Sequence, residues 1–342
     1  MENEQELNIK YEFSEFNLHK NLVYDSPKGL CIFKSIDNIL ILLYSDRYNF
    51  MKSYNLSTFQ MINKNRKSDK TIYIIKHCFD QNKRRDLIMT AHSDVSSKSN
   101  SVKIWNFKTW EFVHIFQREC YDLESRLICF INNQSQILIF IFQSKGIHPN
   151  INNFKEIYDL EGKKIKEINT NDKGLINSID SFYDEILSKN FILLGFDNYA
   201  LSYDYNENKV FKKYEANSKS SFYKIFINKK KEIYELITLE EHNIRIWDFH
   251  SGDFIKDINL KYKEEILNLN SIGFLNNRYI LFGSYENIVL FDLEKGNIIK
   301  SIFAHGHTDV INIFKFKHPK YGECLITRSS SQIIKCWIIK NT

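Results

Sequence analysis

Two histidines flank a glycine at His305-Gly306-His307, and Asp309 follows closely. Imidazole and carboxylate together can hold zinc, but no further His or Cys stands at zinc spacing. A tight Gly-His turn is therefore the preferred reading of that string. The six cysteines, Cys31, Cys78, Cys120, Cys129, Cys324 and Cys336, form no CxxC pair. They read as free thiols of a reducing compartment. Paired acids at Glu240-Glu241 and Glu264-Glu265 could serve as general acid and base. Their place at the ends of strand-like runs makes solvated turns the better reading. No glycine-rich phosphate loop and no GxSxG elbow occurs. No catalytic, cofactor-binding or metal-ligating residue is assigned, and no cofactor is expected. An enzyme whose site these motifs do not reveal stays as an alternative.

The elements that would position any site are strands. The 342 residues include 27 Phe and 19 Tyr with isoleucine throughout, types that suit a pleated, half-buried surface. Glycine (11) and proline (3) are scarce, so turns must lean on Asn, Asp and Ser. Charged residues make up 26% of the chain and the formal net charge is +5. Basic runs such as Lys83-Arg84-Arg85 and Lys229-Lys230-Lys231 are short and mixed with acids, as on a solvated face, and no specific nucleic-acid partner is expected. The start, Met1-Glu2-Asn3-Glu4-Gln5-Glu6, is unlike a secretory or mitochondrial leader, which gives an expectation of a cytoplasmic or nuclear protein. The longest apolar runs, such as Ile137 to Phe142, have strand length, and no membrane insertion is expected.

A phrase repeats along the chain. In Asn243 to Phe249 apolar and polar residues alternate, His250 to Asp253 read as a turn, and Phe254 to Ile258 resume the alternation: a β-hairpin. Equivalent hairpins follow Tyr54, Trp105, Tyr158, Tyr203 and Phe291, and the last copy, at Trp337, meets the chain end. These seven aromatic anchors are separated by 51, 53, 45, 44, 44 and 46 residues. Six of the seven are followed by Asp or Asn. Two more strand-like runs precede each clear hairpin, so each copy is a four-stranded sheet. Such a sheet cannot bury both faces alone, and radial packing of several buries them and leaves short edges.

The expected fold is therefore all-β, a seven-bladed β-propeller forming a single domain over 1–342. Its blades lie at about 29–65, 72–117, 126–169, 176–216, 222–260, 266–302 and 310–342. The last copy lacks room for an outer strand. The alternating run Leu7 to Phe13 is predicted to supply it and close the last blade.

Trp247-Asp248, its degenerate equivalents and Gly306-His307-Thr308-Asp309-Val310 resemble the WD40 repeat family over essentially the whole chain. Kelch-like repeats fit less well, because they use paired glycines. The resemblance implies a buried hydrogen-bonded set of His, Ser or Thr, Asp and Trp in a blade. Here His307, Thr327 and Trp337 match three positions, with Ser331 at the Asp position. In the fifth blade Glu241 stands at that position before Trp247.

The resemblance also implies a protein-interaction scaffold in a multi-subunit complex, monomeric within it and binding other proteins or peptides. Its loops between second and third strands, and those entering each blade, would form the binding face. Mapped here, they include Arg47, Tyr48, Lys145 and His148 of the 144–153 loop, Tyr199, His242, Glu286 and Arg328. The Ser-rich 93–101 loop belongs to the same set. Trp110, in the turn after Trp105, is a further candidate.

A ubiquitin-ligase substrate receptor is the alternative within the family, but Trp247-Asp248-Phe249-His250 lacks the Arg such receptors carry. A phosphoinositide-binding propeller would use Phe-Arg-Arg-Gly. The nearest string here is Lys83-Arg84-Arg85-Asp86.

Overall fold

A computed structural model of the protein describes residues 11–16, 29–46, 48–67, 71–94, 99–119, 127–133, 136–143, 154–170, 176–215, 224–230, 233–240, 243–260, 267–331 and 333–341. Among them every regular element is a strand. The first, β1 (Tyr11–Phe16), precedes seven sets of three or four. Blade 1 is β2 to β5 (Leu30–Lys34, Leu40–Ser45, Phe50–Asn55, Gln60–Lys67). Blade 2 is β6 to β9 (Thr71–Asp80, Arg85–Asp94, Ser99–Asn106, Phe112–Glu119). Blade 3 is β10 to β13 (Leu127–Asn133, Gln136–Gln143, Phe154–Tyr158, Lys164–Glu167). Blade 4 is β14 to β17 (Ser178–Asp184, Lys189–Gly195, Tyr199–Asp204, Lys209–Glu215). Blade 5 is β18 to β21 (Lys224–Lys229, Tyr234–Leu239, Asn243–Asp248, Phe254–Asn259). Blade 6 is β22 to β25 (Leu267–Phe274, Tyr279–Ser284, Asn287–Asp292, Asn297–Phe303), and β26 to β28 (Val310–His318, Gly322–Ser329, Ile334–Asn341) end the chain. Each set pairs in sequence order into a four-stranded antiparallel sheet. The fold is all-β, with seven blades arranged as a β-propeller, as the repeat predicts.

The predicted closing strand is present, at a shifted position. β1 pairs antiparallel with β28, from Tyr11 opposite Asn341 to Phe16 opposite Cys336, and supplies the fourth strand of blade 7. The strand runs on past Phe13 because β28 offers an edge back to Cys336 that would otherwise be unpaired. Leu7 to Lys10 lie outside the described residues.

By its internal contacts the chain divides into two compact units. The smaller comprises 1–26, 55–60 and 264–342; the larger comprises 27–54 and 61–263. Both are built alike. The second and third strands of a blade are buried on both faces, as in β15, β19, β23 and β24, whereas the outer strands β13, β21 and β25 are largely exposed. This is why runs such as Phe191-Ile192-Leu193-Leu194 and Tyr279-Ile280-Leu281-Phe282 are continuously apolar instead of alternating. In the larger unit the faces meet in clusters such as Phe33, Leu43, Ile75, Ile88 and Trp105 between blades 1 and 2. In the smaller, Leu281, Leu290, Ile313, Leu325 and Trp337 join blades 6 and 7. Each such side chain contributes about 1.5–3 kcal/mol.

All seven anchors are buried, none more than 6% exposed. The three tryptophans share one geometry. Trp105 pairs with Ile88, Trp247 with Leu236 and Trp337 with Leu325. In each case the indole N–H donates to the threonine two residues further along the partner strand: Thr90 at 2.7 Å, Thr238 at 3.3 Å and Thr327 at 2.8 Å. A histidine completes two of these sets. His92 Nε2 lies 2.6 Å from Thr90 Oγ1, and His305 Nε2 lies 3.0 Å from Thr327 Oγ1.

The second set corrects the sequence reading. His307 is not the buried histidine: its side chain is 95% exposed, and His305 takes the place beside Thr327. His307 has a left-handed backbone (φ 54), which turns the chain so that only the first imidazole faces inward. Ser331, read as the Asp equivalent, is exposed and lies 2.8 Å from Ser329 Oγ. Glu241 is outside the described residues.

The residue after each of the first six anchors builds the turn. Asn55, Asn106, Asp204, Asp248 and Asp292 each accept, through Oδ1, a backbone N–H two or three residues on. Asp159 does so four residues on, from Lys163. The turn then needs a left-handed residue, filled by Gly162, Gly252 and Gly296, by Asn208, and by Phe59 and Trp110.

Two predictions follow from the buried sets. Thr327→Val leaves the Trp337 N–H without an acceptor and should lower unfolding free energy by about 1–3 kcal/mol, with Thr327→Ser closer to wild type, read from urea midpoints. His305 is pushed down to about 4, first by burial and then by the Lys335 charge. Its folded pKa lies below the unfolded value, so the unfolded chain binds the extra proton. Stability from this group is complete above about pH 6.5 and is lost as pH falls through about 4. The wild-type urea midpoint should fall across that window more steeply than that of His305→Gln; equal slopes would contradict the assignment.

Candidate interaction face

In the smaller unit the β23–β24 turn and the segment leading from β25 into β26 are locked together. Glu286 N–H donates to Thr308 O (2.9 Å), and Glu286 O accepts from Ala304 N–H (2.7 Å) and His305 N–H (2.9 Å). Tyr285 and Asp309 form an antiparallel bridge, and Asp309 O accepts from Ser330 N–H at 2.7 Å. Glu286 Oε1 accepts from the His307 N–H at 2.6 Å, and His307 Nδ1 lies 3.1 Å from the same oxygen. Glu286 (φ 64) and His307 (φ 54) both hold the left-handed conformation, which costs about 1–2 kcal/mol for a residue with a Cβ. Loop residues so held, and paid for by surrounding hydrogen bonds, are common at functional sites.

What this rigid segment displays is aromatic. Tyr285, in the turn, is 52% exposed, and Phe303, at the end of the outer strand β25, is 63% exposed. Phe303 pairs with Asn287, next to Glu286, and its ring edge lies beside Gly306. The β23–β24 turn, the end of β25 and the segment after it thus expose two aromatic rings, with a carboxylate and an imidazole between them in the hydrogen-bonded backbone.

Of the residues singled out from sequence, the structure brings Glu286 and His307 together here. Arg328 is on β27 of the same unit, half-buried, its guanidinium pushed down to about 10 by desolvation. The others described lie in the larger unit. Tyr48 projects from the blade 1 turn (55% exposed), where Asp46 Oδ1 accepts the Tyr48 and Phe50 N–H groups. Tyr199 of blade 4 is half-buried, stacked on Phe196 at 4.6 Å with Lys213 Nζ 4.6 Å from its ring. Trp110 is half-buried and packs against Phe107 (5.5 Å) and Trp105 (6.4 Å) at the edge of the blade 1–blade 2 cluster. Arg47, Lys145, His148 and His242 lie outside the described residues, as does the whole 144–153 loop.

Sequence reasoning missed Tyr285 and Phe303. Neither carries a signal in the sequence, since adjacent apolar residues in this chain are as often buried on both faces of a sheet.

Among the described residues one grouping suggests nucleophilic chemistry. Cys31 bonds the His77 backbone, and His77 Nε2 lies 2.8 Å from Asp86 Oδ1. The thiol is pushed up to about 11 by burial, so its thiolate is scarce at neutral pH. The imidazole is stacked on Phe33 at 4.0 Å, and Asp86 Oδ2 also accepts the Ile36 N–H at 2.8 Å. The arrangement joins blade 1 to blade 2. Cys78 and Cys336 are pushed up to about 12, again by burial. Among the described residues no three His, Cys, Asp or Glu side chains converge as a metal would require, and no helix is long and apolar enough to cross a membrane. No protein-family model matches the chain, and no curated protein matches it.

Proposed function

We propose that this chain is a non-catalytic scaffold of the WD40 type, binding other proteins or peptides as a single copy within a larger cytoplasmic or nuclear complex. A seven-bladed propeller suits interaction in general. The observation that carries the reading is the Tyr285–Phe303 surface. Exposed aromatic side chains on a hydrogen-bonded, preformed loop present large contact area at little ordering cost, the property of binding hot spots. The WD40 reading is supported by the Trp–Thr–His sets of blades 2 and 7. The ubiquitin-ligase alternative gains nothing from the structure. His250, where such receptors carry Arg, lies 2.7 Å from the buried Asp184, and Phe249 is fully buried.

The test is affinity purification of the tagged chain from its own cells, compared with Tyr285→Ala/Phe303→Ala. Both positions are exposed, so the melting temperature should stay within about 2 °C. Co-purifying proteins at fixed stoichiometry should be lost or reduced at least about tenfold in the variant. A wild-type chain that runs alone at every salt concentration would overturn the scaffold reading.

A further inference from the structure

We infer that the Tyr285–Phe303 surface receives a cationic side chain, arginine or lysine, from an extended segment of the partner protein; this rests on the scaffold reading. The argument is charge complementarity. The whole chain carries +5, yet the segments 284–287 and 301–310 contain two carboxylates, Glu286 and Asp309, and no Lys or Arg. His307 occupies only Glu286 Oε1. Glu286 Oε2 and both Asp309 side-chain oxygens accept no hydrogen bond among the described residues. Asp309 is exposed and stands directly across from Tyr285. Aromatic faces attract cations through their quadrupole, and carboxylates beside them supply charge-assisted hydrogen bonds. An acidic segment would meet repulsion from both carboxylates, and a purely apolar one would leave them desolvated.

Tyr285 bridges Asp309, and Phe303 pairs with Asn287, which fixes the backbone that carries both rings. A long cationic side chain can lay its stem on the Tyr285 ring and reach the carboxylate across from it with its head.

The experiment uses the purified full-length chain and a fluorescein-labelled glycine–arginine repeat peptide, with the glycine–glutamate peptide as comparison, followed by anisotropy. The arginine peptide should bind saturably and more weakly as salt rises, and the glutamate peptide should not bind. Tyr285→Ala/Phe303→Ala and, separately, Glu286→Gln/Asp309→Asn should each weaken binding at least about tenfold. Glu294→Gln, in the turn after β24, should leave it unchanged. Equal binding of both peptides, or equal affinity in wild type and both double variants, overturns the inference. If that happens while Tyr285→Ala/Phe303→Ala still loses its cellular partners, the face docks other chemistry and the scaffold reading stands. If the peptide result holds and no cellular complex is recovered, the scaffold reading fails alone.

Discussion

A buried indole N–H must find an acceptor, and much of this chain's architecture follows from where that acceptor can stand. On an antiparallel pair the side chain two residues beyond the direct partner lies on the same face and within reach. In blades 2, 5 and 7 that diagonal position is threonine, and the hydroxyl is met by the tryptophan ring nitrogen. In blades 3, 4 and 6 the anchors are Tyr158, Tyr203 and Phe291, and the same register position is Ile141, Leu194 and Phe282. Tyrosine takes its polar tip elsewhere: Tyr158 O–H donates to Glu156 Oε2 and Tyr203 O–H to Asn208 Oδ1. The requirement runs from the indole: without the hydroxyl its buried N–H would be unmatched, whereas the hydroxyl has further partners, as Thr90 does in His92 and Lys103 O.

The hairpin beyond each anchor obeys a second constraint. In blades 2 to 6 the register shifts beside the anchor, between Ile104 and Trp105 and at the matching places. The Asp or Asn carboxyl or amide oxygen then caps the turn, and a left-handed residue ends it. With glycine scarce, the chain fills that slot with Phe59 and Trp110 in blades 1 and 2. Each offsets the strain by packing. The Phe59 ring stacks on His318 at 5.4 Å, and Trp110 lies against Phe107 and Trp105. Trp110 therefore stands in a turn for a backbone reason and is held there by the core.

These constraints explain what could be read from the chain in advance. Anchor spacing, the following Asp or Asn and the paired apolar runs are local signals, and they specify seven blades and the closing strand. The buried histidine was not legible in the same way. His305 and His307 are chemically identical and flank one glycine, and parity along the chain does not choose between them. The choice depends on the left-handed turn at His307, itself held by Glu286 some twenty residues earlier. His92 escaped notice because its partner, Thr90, is on its own strand, an arrangement unlike the one that the resemblance implied. The aromatic face was half legible: Glu286 belongs to a loop chosen on family grounds, but the segments that carry Tyr285 and Phe303 are brought side by side only through the pairing of β24 with β25 and the Tyr285–Asp309 bridge.

The same histidine ties surface to core. Its backbone N–H binds Glu286 O, so the loop that displays Tyr285 is fixed through His305. Its ring binds Thr327, which accepts from Trp337 at the centre of blade 7. A continuous line of hydrogen bonds thus runs from the exposed turn to the anchor. Loosening the buried set would free the segment that presents Phe303 and Asp309, and a surface that binds by preformed geometry would then have to be ordered at the moment of contact. In this blade the demands of packing and of recognition fall on one residue, so a change at His305 is expected to act on binding without touching the partner.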